Sequence, residues 1–211
     1  MRYLTFALAK GRLAGDTMGR FAQVGITCDE MNEKSRKLIF VNENLKMKFF
    51  LSKASDVPTY VEYGAADIGV VGKDVILEEK KNLYEVLDLG FGKCRMVVAG
   101  SPAIKEKLSG GNNLRVATKY PNIAKNYFNH IKKQNVEIIK LNGSVELGPI
   151  VSLSDVIVDI VETGSTLKEN NLIVLEEICS LSARLIVNKV SMNMENKRIT
   201  EIMKALKGLE G

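Results

Sequence analysis

From Asp155 to Leu167 the chain reads Asp-Val-Ile-Val-Asp-Ile-Val-Glu-Thr-Gly-Ser-Thr-Leu. An apolar run carries one charge, Asp159, and ends at Glu162, where three hydroxyls surround a single glycine. These are the parts of a sugar-phosphate site. Gly164 lets the backbone turn tightly and approach an anion. Thr163, Ser165 and Thr166 offer hydroxyl donors. The residues from Leu167 to Asn170 look helical, and a helix start adds unpaired N–H groups and a positive dipole end. Each hydrogen bond to a charged oxygen contributes about 1.5–3 kcal/mol net. The plainer alternative is a turn with an N-cap. Asp159 argues against it, because a carboxylate inside a buried strand is costly unless paired, and ribose hydroxyls would pair it.

Other chemistry is sparse. His130 is the single histidine, so a His-rich metal site cannot be built, and its polar surroundings from Tyr127 to Lys132 suggest a surface position. Cys28, Cys94 and Cys179 are dispersed, with no C-x-x-C, which points to reduced thiols in a cytoplasm. Gly69-Val70-Val71-Gly72-Lys73-Asp74 hints at an ATP P-loop, but the spacing is wrong and Asp74 stands where Ser or Thr is required.

Strand-length apolar runs recur: 3–9, 37–41, 47–51, 68–71, 95–99, 114–117, 136–141, 156–161, 172–175 and 183–187. Several are continuous, as in strands covered on both faces. Helical patterns fall between many of them, at 13–24, 57–63, 104–108, 123–133, 144–151 and 199–206. The alternation predicts an α/β fold with largely parallel sheets. Residues 36–51, with Asn42-Glu43-Asn44 in the middle, read as an inserted hairpin. The best boundaries are Gly90–Lys93 and Ile178–Ser180, placing residues 1–92 and 180–211 in one lobe and 93–179 in the other.

The 211 residues are 45% hydrophobic and 26% charged, the balance of an ordinary globular protein. A chain of this length needs no disulfide or metal staple. Its net charge of +5 suits an anionic substrate. The lysines are scattered and there is no Trp, which disfavours a nucleic-acid platform. No run approaches the ~20 apolar residues that span a bilayer. Arg2 followed by Tyr3–Ala9 faintly suggests a leader, but Lys10-Gly11-Arg12 stands at the cleavage position, and the run reads as a first strand.

The Asp159-x-x-Glu162-Thr163-Gly164-Ser165-Thr166-Leu167 pattern, with Glu146 upstream, resembles the signature of the ATP phosphoribosyltransferase family. Ser152 stands where that signature has glycine; being small, it is expected to matter little. Leu8–Leu13, Asp56–Gly64, Ala66–Asp74, Gly92–Arg95 and Ala117–Pro121 are similar to further family blocks, so the likeness covers nearly the whole chain. Ala9 replaces a usual proline. Lys53 replaces a frequent arginine and loses the bidentate fork.

The resemblance implies a two-lobed fold like the type II periplasmic binding proteins, with the site in the cleft between lobes. It implies attack by N1 of ATP on C1 of phosphoribosyl pyrophosphate, the first step of histidine biosynthesis. Asp159, Glu162, Lys53 and Arg36 are the implied catalytic residues. Asp159, Glu162, Thr163, Gly164, Ser165, Thr166 and Leu167 would bind phosphoribosyl pyrophosphate. Lys10, Gly11, Arg12, Asp67, Ile68, Gly69, Arg95 and Tyr120 would bind ATP. Mg²⁺ would arrive chelated to substrate, with no protein metal site. The expected assembly is a cytoplasmic homodimer within a hetero-oligomer. Its partner is a regulatory subunit resembling histidyl-tRNA synthetase, because no added C-terminal domain follows 199–206; neither nucleic acid nor membrane is expected. Two other readings remain: a cytosolic anion sensor, for which paired carboxylates have no use, and a nucleobase phosphoribosyltransferase.

Overall fold

The computed structural model describes residues 2–32, 37–105 and 113–210. Arg36, and the end of the helix expected at 104–108, lie outside the described residues. The chain divides into two compact units, Met1–Gly92 with Ser182–Gly211 (lobe I) and Lys93–Leu181 (lobe II). Residues 178–180, read from sequence as a strand-like crossing, lie inside the last strand of lobe II.

The first strands are β1 (Leu4–Ala9), β2 (Ile39–Asn42), β3 (Met47–Ser52), β4 (Ile68–Gly72) and β5 (Tyr84–Asp88). Lobe II holds β6 (Cys94–Gly100), β7 (Leu114–Thr118), β8 (Val136–Lys140), β9 (Val156–Val161) and β10 (Ile173–Leu181), and β11 (Ala183–Val187) returns to lobe I. The described α-helices are α1 (Arg12–Ala22), α2 (Val57–Glu62), α3 (Lys73–Glu79), α4 (Pro121–Lys125), α5 (Leu147–Ile150), α6 (Ser165–Glu169), α7 (Lys189–Met194) and α8 (Asn196–Lys207). A π-helical turn, Asn126–Ile131, extends α4 and leaves His130 exposed.

Lobe I carries the sheet β2-β3-β1-β4-β11-β5, and lobe II carries β10-β6-β9-β7-β8. Both are mixed, which corrects the expectation of largely parallel sheets. Parallel pairing is confined to β1 with β3 and β4, and to β7 with β8 and β9. The other neighbours are antiparallel. Apolar runs report burial on two faces, which either direction satisfies. Direction is set by how the chain arrives. The β2–β3 hairpin reverses it, and the strands next to the two lobe crossings, β6, β10 and β11, run against their neighbours.

Side-chain size decides how each face of the lobe I sheet is covered. Leu4, Phe6 and Leu8 face one side with Phe49, Ile68, Val70, Leu185 and Val187. Phe21 of α1 and Ile199, Ile202 and Leu206 of α8 close that core. Phe6 stacks on Phe49 at 4.9 Å and meets the edge of Phe21 at 5.7 Å. Each such buried ring contributes about 1.5–3 kcal/mol. The opposite face is lined by smaller residues, Ala7, Ala9, Ala66 and Val71, against Val57 and Val61 of α2.

Three elements escaped the sequence pattern. The edge strand β5 has only Val86 and Leu87 between Glu85 and Asp88, too short an apolar run to stand out. Helix α3 starts directly at the end of β4 with no breaker between them. Helix α7 is six residues long, and its start is marked by Asn188, whose side chain accepts from the N–H groups of Val190 and Ser191.

Candidate active site

In lobe II the parallel strands β7, β8 and β9 end at one edge of the sheet, the edge where open α/β sheets bind ligands. β9 is buried through Val158 and opens at Asp159 and Ile160, which are half-buried. Asp159 is therefore not a carboxylate sunk in apolar core, and that part of the sequence argument is corrected. It lines a pocket of about 320 Å³ together with Glu146, Glu162, Thr163, Gly164, Ser165 and Thr166.

The loop is built as its residue types require. Gly164 takes φ 82° and ψ 5°, the left-handed conformation, at the start of α6. Thr163 Oγ1 lies 3.1 Å from Ser165 Oγ, and the Ser165 N–H donates to Thr163 Oγ1 at 3.4 Å. The N–H of Lys168 donates to the Gly164 carbonyl. Leu167 is 5% exposed and anchors α6 in a cluster with Val97, Ala99, Ile157 and Val161. Leu167 thus fixes the loop from beneath, while Thr163, Ser165 and Thr166 stay exposed. Glu146, known from sequence only as a landmark thirteen positions before Asp159, reaches the same pocket from the residue preceding α5.

Two more expected residues share this edge. Tyr120 follows β7; its N–H donates to Thr118 Oγ1, whose hydroxyl donates to the Val158 carbonyl of β9. Tyr120 itself is buried. Arg95, second in β6, lies opposite Val161, and its Nη1 donates to Glu177 Oε2 at 3.1 Å. Both partners of that pair are more than two-fifths exposed, so it holds Arg95 only weakly.

In lobe I, β1 and β3 run parallel with Ala9 opposite Ser52, and the Lys10 N–H donates to the Ser52 carbonyl. Lys10, Gly11, Arg12 and Lys53 therefore emerge together, all exposed, at the carboxyl edge of that sheet. Gly11 turns at φ 98° into α1. The first turn of α1 has no acidic residue and begins with Arg12. Cations at a helix N-terminus oppose the dipole, so this start suits an external anion.

Asp67, Ile68 and Gly69 are not at that edge. They lie at the opposite end of β4, against Thr5, Phe6 and Ala7 of β1. Asp67 is 3% exposed and accepts from Arg2 Nη2 at 2.8 Å, the Thr5 N–H at 2.8 Å and the Ser191 hydroxyl. Ile68 is fully buried. A Cβ on Gly69 would lie 2.8 Å from Val61 and 2.9 Å from Val57, so this glycine admits α2 rather than a ligand. Burial and packing within lobe I thus account for all three residues expected to bind ATP.

The family model for ATP phosphoribosyltransferase (HisG) matches residues 53–208. This chain belongs to the ATP phosphoribosyltransferase family. It is 68% identical over 208 residues to an ATP phosphoribosyltransferase of Lachnoclostridium phytofermentans, covering 98% of this chain and 97% of that one. Another, from Caldanaerobacter subterraneus, is 57% identical over 207 residues, covering 98% and 97%. Among solved structures, the HisG:HisZ ATP phosphoribosyl transferase complex of Thermotoga maritima superposes with a TM-score of 0.81 at 36% identity, covering 97% of both chains. The BvgS VFT2 domain of Bordetella pertussis matches with a TM-score of 0.58 at 12% identity, covering 97% of this chain and 87% of that one, a likeness of fold alone. The two-lobed, periplasmic-binding-protein-like fold follows from both. As an ATP phosphoribosyltransferase, the chain transfers the 5-phosphoribosyl group from phosphoribosyl pyrophosphate to N1 of ATP and releases pyrophosphate, the first step of histidine biosynthesis.

Proposed function

We propose that phosphoribosyl pyrophosphate is held through the Glu162–Leu167 loop. The observation that carries this is the left-handed Gly164 between hydroxyls, opening a helix beside the half-buried Asp159. The loop N–H groups and the Thr163, Ser165 and Thr166 hydroxyls donate to the 5-phosphate. Asp159 and Glu162 accept from the ribose hydroxyls and face the positive charge that builds on the ring as the C1–O bond to pyrophosphate lengthens. Adenine N1 brings its own lone pair, so no side chain needs to act as nucleophile, and catalysis rests on positioning and charge. Lys10, Arg12, Lys53 and Arg36 supply positive charge for the leaving pyrophosphate or the triphosphate, Gly11 lets the backbone approach them, and Arg95 and Tyr120 serve the acceptor.

Mg²⁺ enters with phosphoribosyl pyrophosphate, keeping mostly water and substrate oxygens in its shell. The acidic pocket beside the loop fits a chelate of that kind. Among the described residues no helix is long and apolar enough to cross a membrane, and we place the enzyme in the cytoplasm as a biosynthetic catalyst. A HisZ-type regulatory partner, with a homodimer inside a hetero-oligomer, is proposed because the solved relative was captured with HisZ.

The test is pyrophosphate release from phosphoribosyl pyrophosphate and Mg²⁺ with ATP, adenine, orotate or hypoxanthine as acceptor. Release should require both Mg²⁺ and ATP. Equal release with orotate or hypoxanthine would overturn the reading.

A further inference from the structure

Cys94 and Cys179 are 85 positions apart in sequence, yet the fold makes them neighbours. Cys94 opens β6, the first strand of lobe II, and Cys179 lies near the end of β10, the last. These strands pair antiparallel, with Leu181 opposite Cys94 and Cys179 opposite Met96. Residues directly opposite one another in such a pair project to the same face. Cys94, Met96, Cys179 and Leu181 therefore form one quartet, with the two cysteines on a diagonal.

In a flat ladder the Cα atoms of a diagonal pair lie about 7–8 Å apart, with the Cβ atoms closer. The right-handed strand twist shortens one diagonal of each quartet and lengthens the other. Cys94 and Cys179 occupy one of the two diagonals of their quartet. A register shift between Glu177 and Cys179 marks a bulge, and bulges increase twist locally. Disulfides accept Cα separations up to about 6.8 Å, so closing the pair needs a shift of roughly 1 Å. Both cysteines are half-buried and remain accessible, while Met96 and Leu181 are buried beside them. Cys28 differs: it is buried in the lobe I core, and burial pushes its thiol pKa up, away from reactivity.

We propose that Cys94 and Cys179 form a reversible dithiol–disulfide pair, oxidised by low-molecular-weight disulfides. The thiolate of one cysteine attacks the disulfide R–S–S–R, forming a mixed disulfide and expelling one thiolate. The second cysteine, as thiolate, attacks the cysteine sulfur of the mixed disulfide and expels the other. The two protons lost by the cysteines end on the two RSH products. Two protein thiols are oxidised and one small disulfide is reduced. The bond staples edge strand β10 to β6, the strands by which the chain leaves and enters lobe II.

The experiment equilibrates the purified full chain with oxidised glutathione, then counts thiols after unfolding and measures the intact mass. The count should fall from three to one, with two hydrogens lost, no glutathione retained, and a digest peptide pair joining Cys94 to Cys179. C94S and C179S should each retain one glutathione adduct, since nothing resolves it. C28S should close the bond as the native chain does. A native chain that keeps three thiols, keeps glutathione adducts, or bridges through Cys28 would overturn the pairing.

Discussion

Replacing Gly164 separates two reasons for having a glycine there. A Cβ at this position would meet only Val161 Cγ1, at 3.7 Å, an ordinary contact. The chain itself has room for a side chain, so the constraint lies in the backbone and in whatever occupies the space in front of it. At φ 82° an ordinary L-residue costs about 1–2 kcal/mol, and a β-branched one at least that. For a chain of this size, that corresponds to a melting temperature lower by about 2–8 °C. Gly164→Val should show this loss and should misdirect the loop N–H groups. Losing two charge-assisted hydrogen bonds, at about 1.5–3 kcal/mol each, weakens binding on the order of 10²–10⁴-fold. Gly164→Asn tolerates the left-handed conformation and should melt close to the native chain, yet its side chain fills the phosphate's space. Calorimetric titration with phosphoribosyl pyrophosphate and Mg²⁺, alongside thermal melts, reads both effects. Native-like binding by Gly164→Asn would show that only the turn matters. Binding by Gly164→Val within about threefold of native would refute the phosphate assignment.

Three more predictions follow from individual side chains. Asp159→Asn should lower turnover by at least about tenfold, or about 1.4 kcal/mol in barrier, with ATP binding little changed; normal specific activity in a destabilised variant would make Asp159 structural. Asp67→Ala should destabilise lobe I by about 2–4 kcal/mol, because the Thr5 N–H and the Ser191 hydroxyl lose their acceptor, while the KM for ATP holds. A raised KM without loss of melting temperature would return Asp67 to the nucleotide. Ser152→Gly should stabilise the chain by about 1 kcal/mol in denaturant titration, since Ser152 sits at φ 57° and exposed; an unchanged or lower midpoint would contradict that account.

Ser152 shows how local chemistry can be read while its cause is missed. Sequence comparison within the chain's own signature marked it as a small residue in place of glycine. The structure shows that backbone angle, not size, is what favours glycine there. The loop at Gly164 was legible because its determinants are contiguous: an apolar strand, an acid, a glycine and hydroxyls, each acting over one or two residues. The apolar runs likewise announced most strands, whose burial demands them wherever they pair.

What the sequence by itself determined was therefore the local grammar: which segments are buried strands, where an anion loop opens, and the family signature that names the reaction. The tertiary structure alone decided which charges remain available. Asp67 stands in a stretch that looks as suggestive as the loop at Asp159, but long-range pairing with Arg2, Thr5 and Ser191 consumes it, and close packing of α2 explains Gly69. Glu146 joins the pocket, Cys179 comes beside Cys94, and strand directions turn out mixed because those relations depend on chain crossings and register between residues far apart. Periodicity reports only whether a face is buried; the partner that buries it is chosen when the whole chain packs.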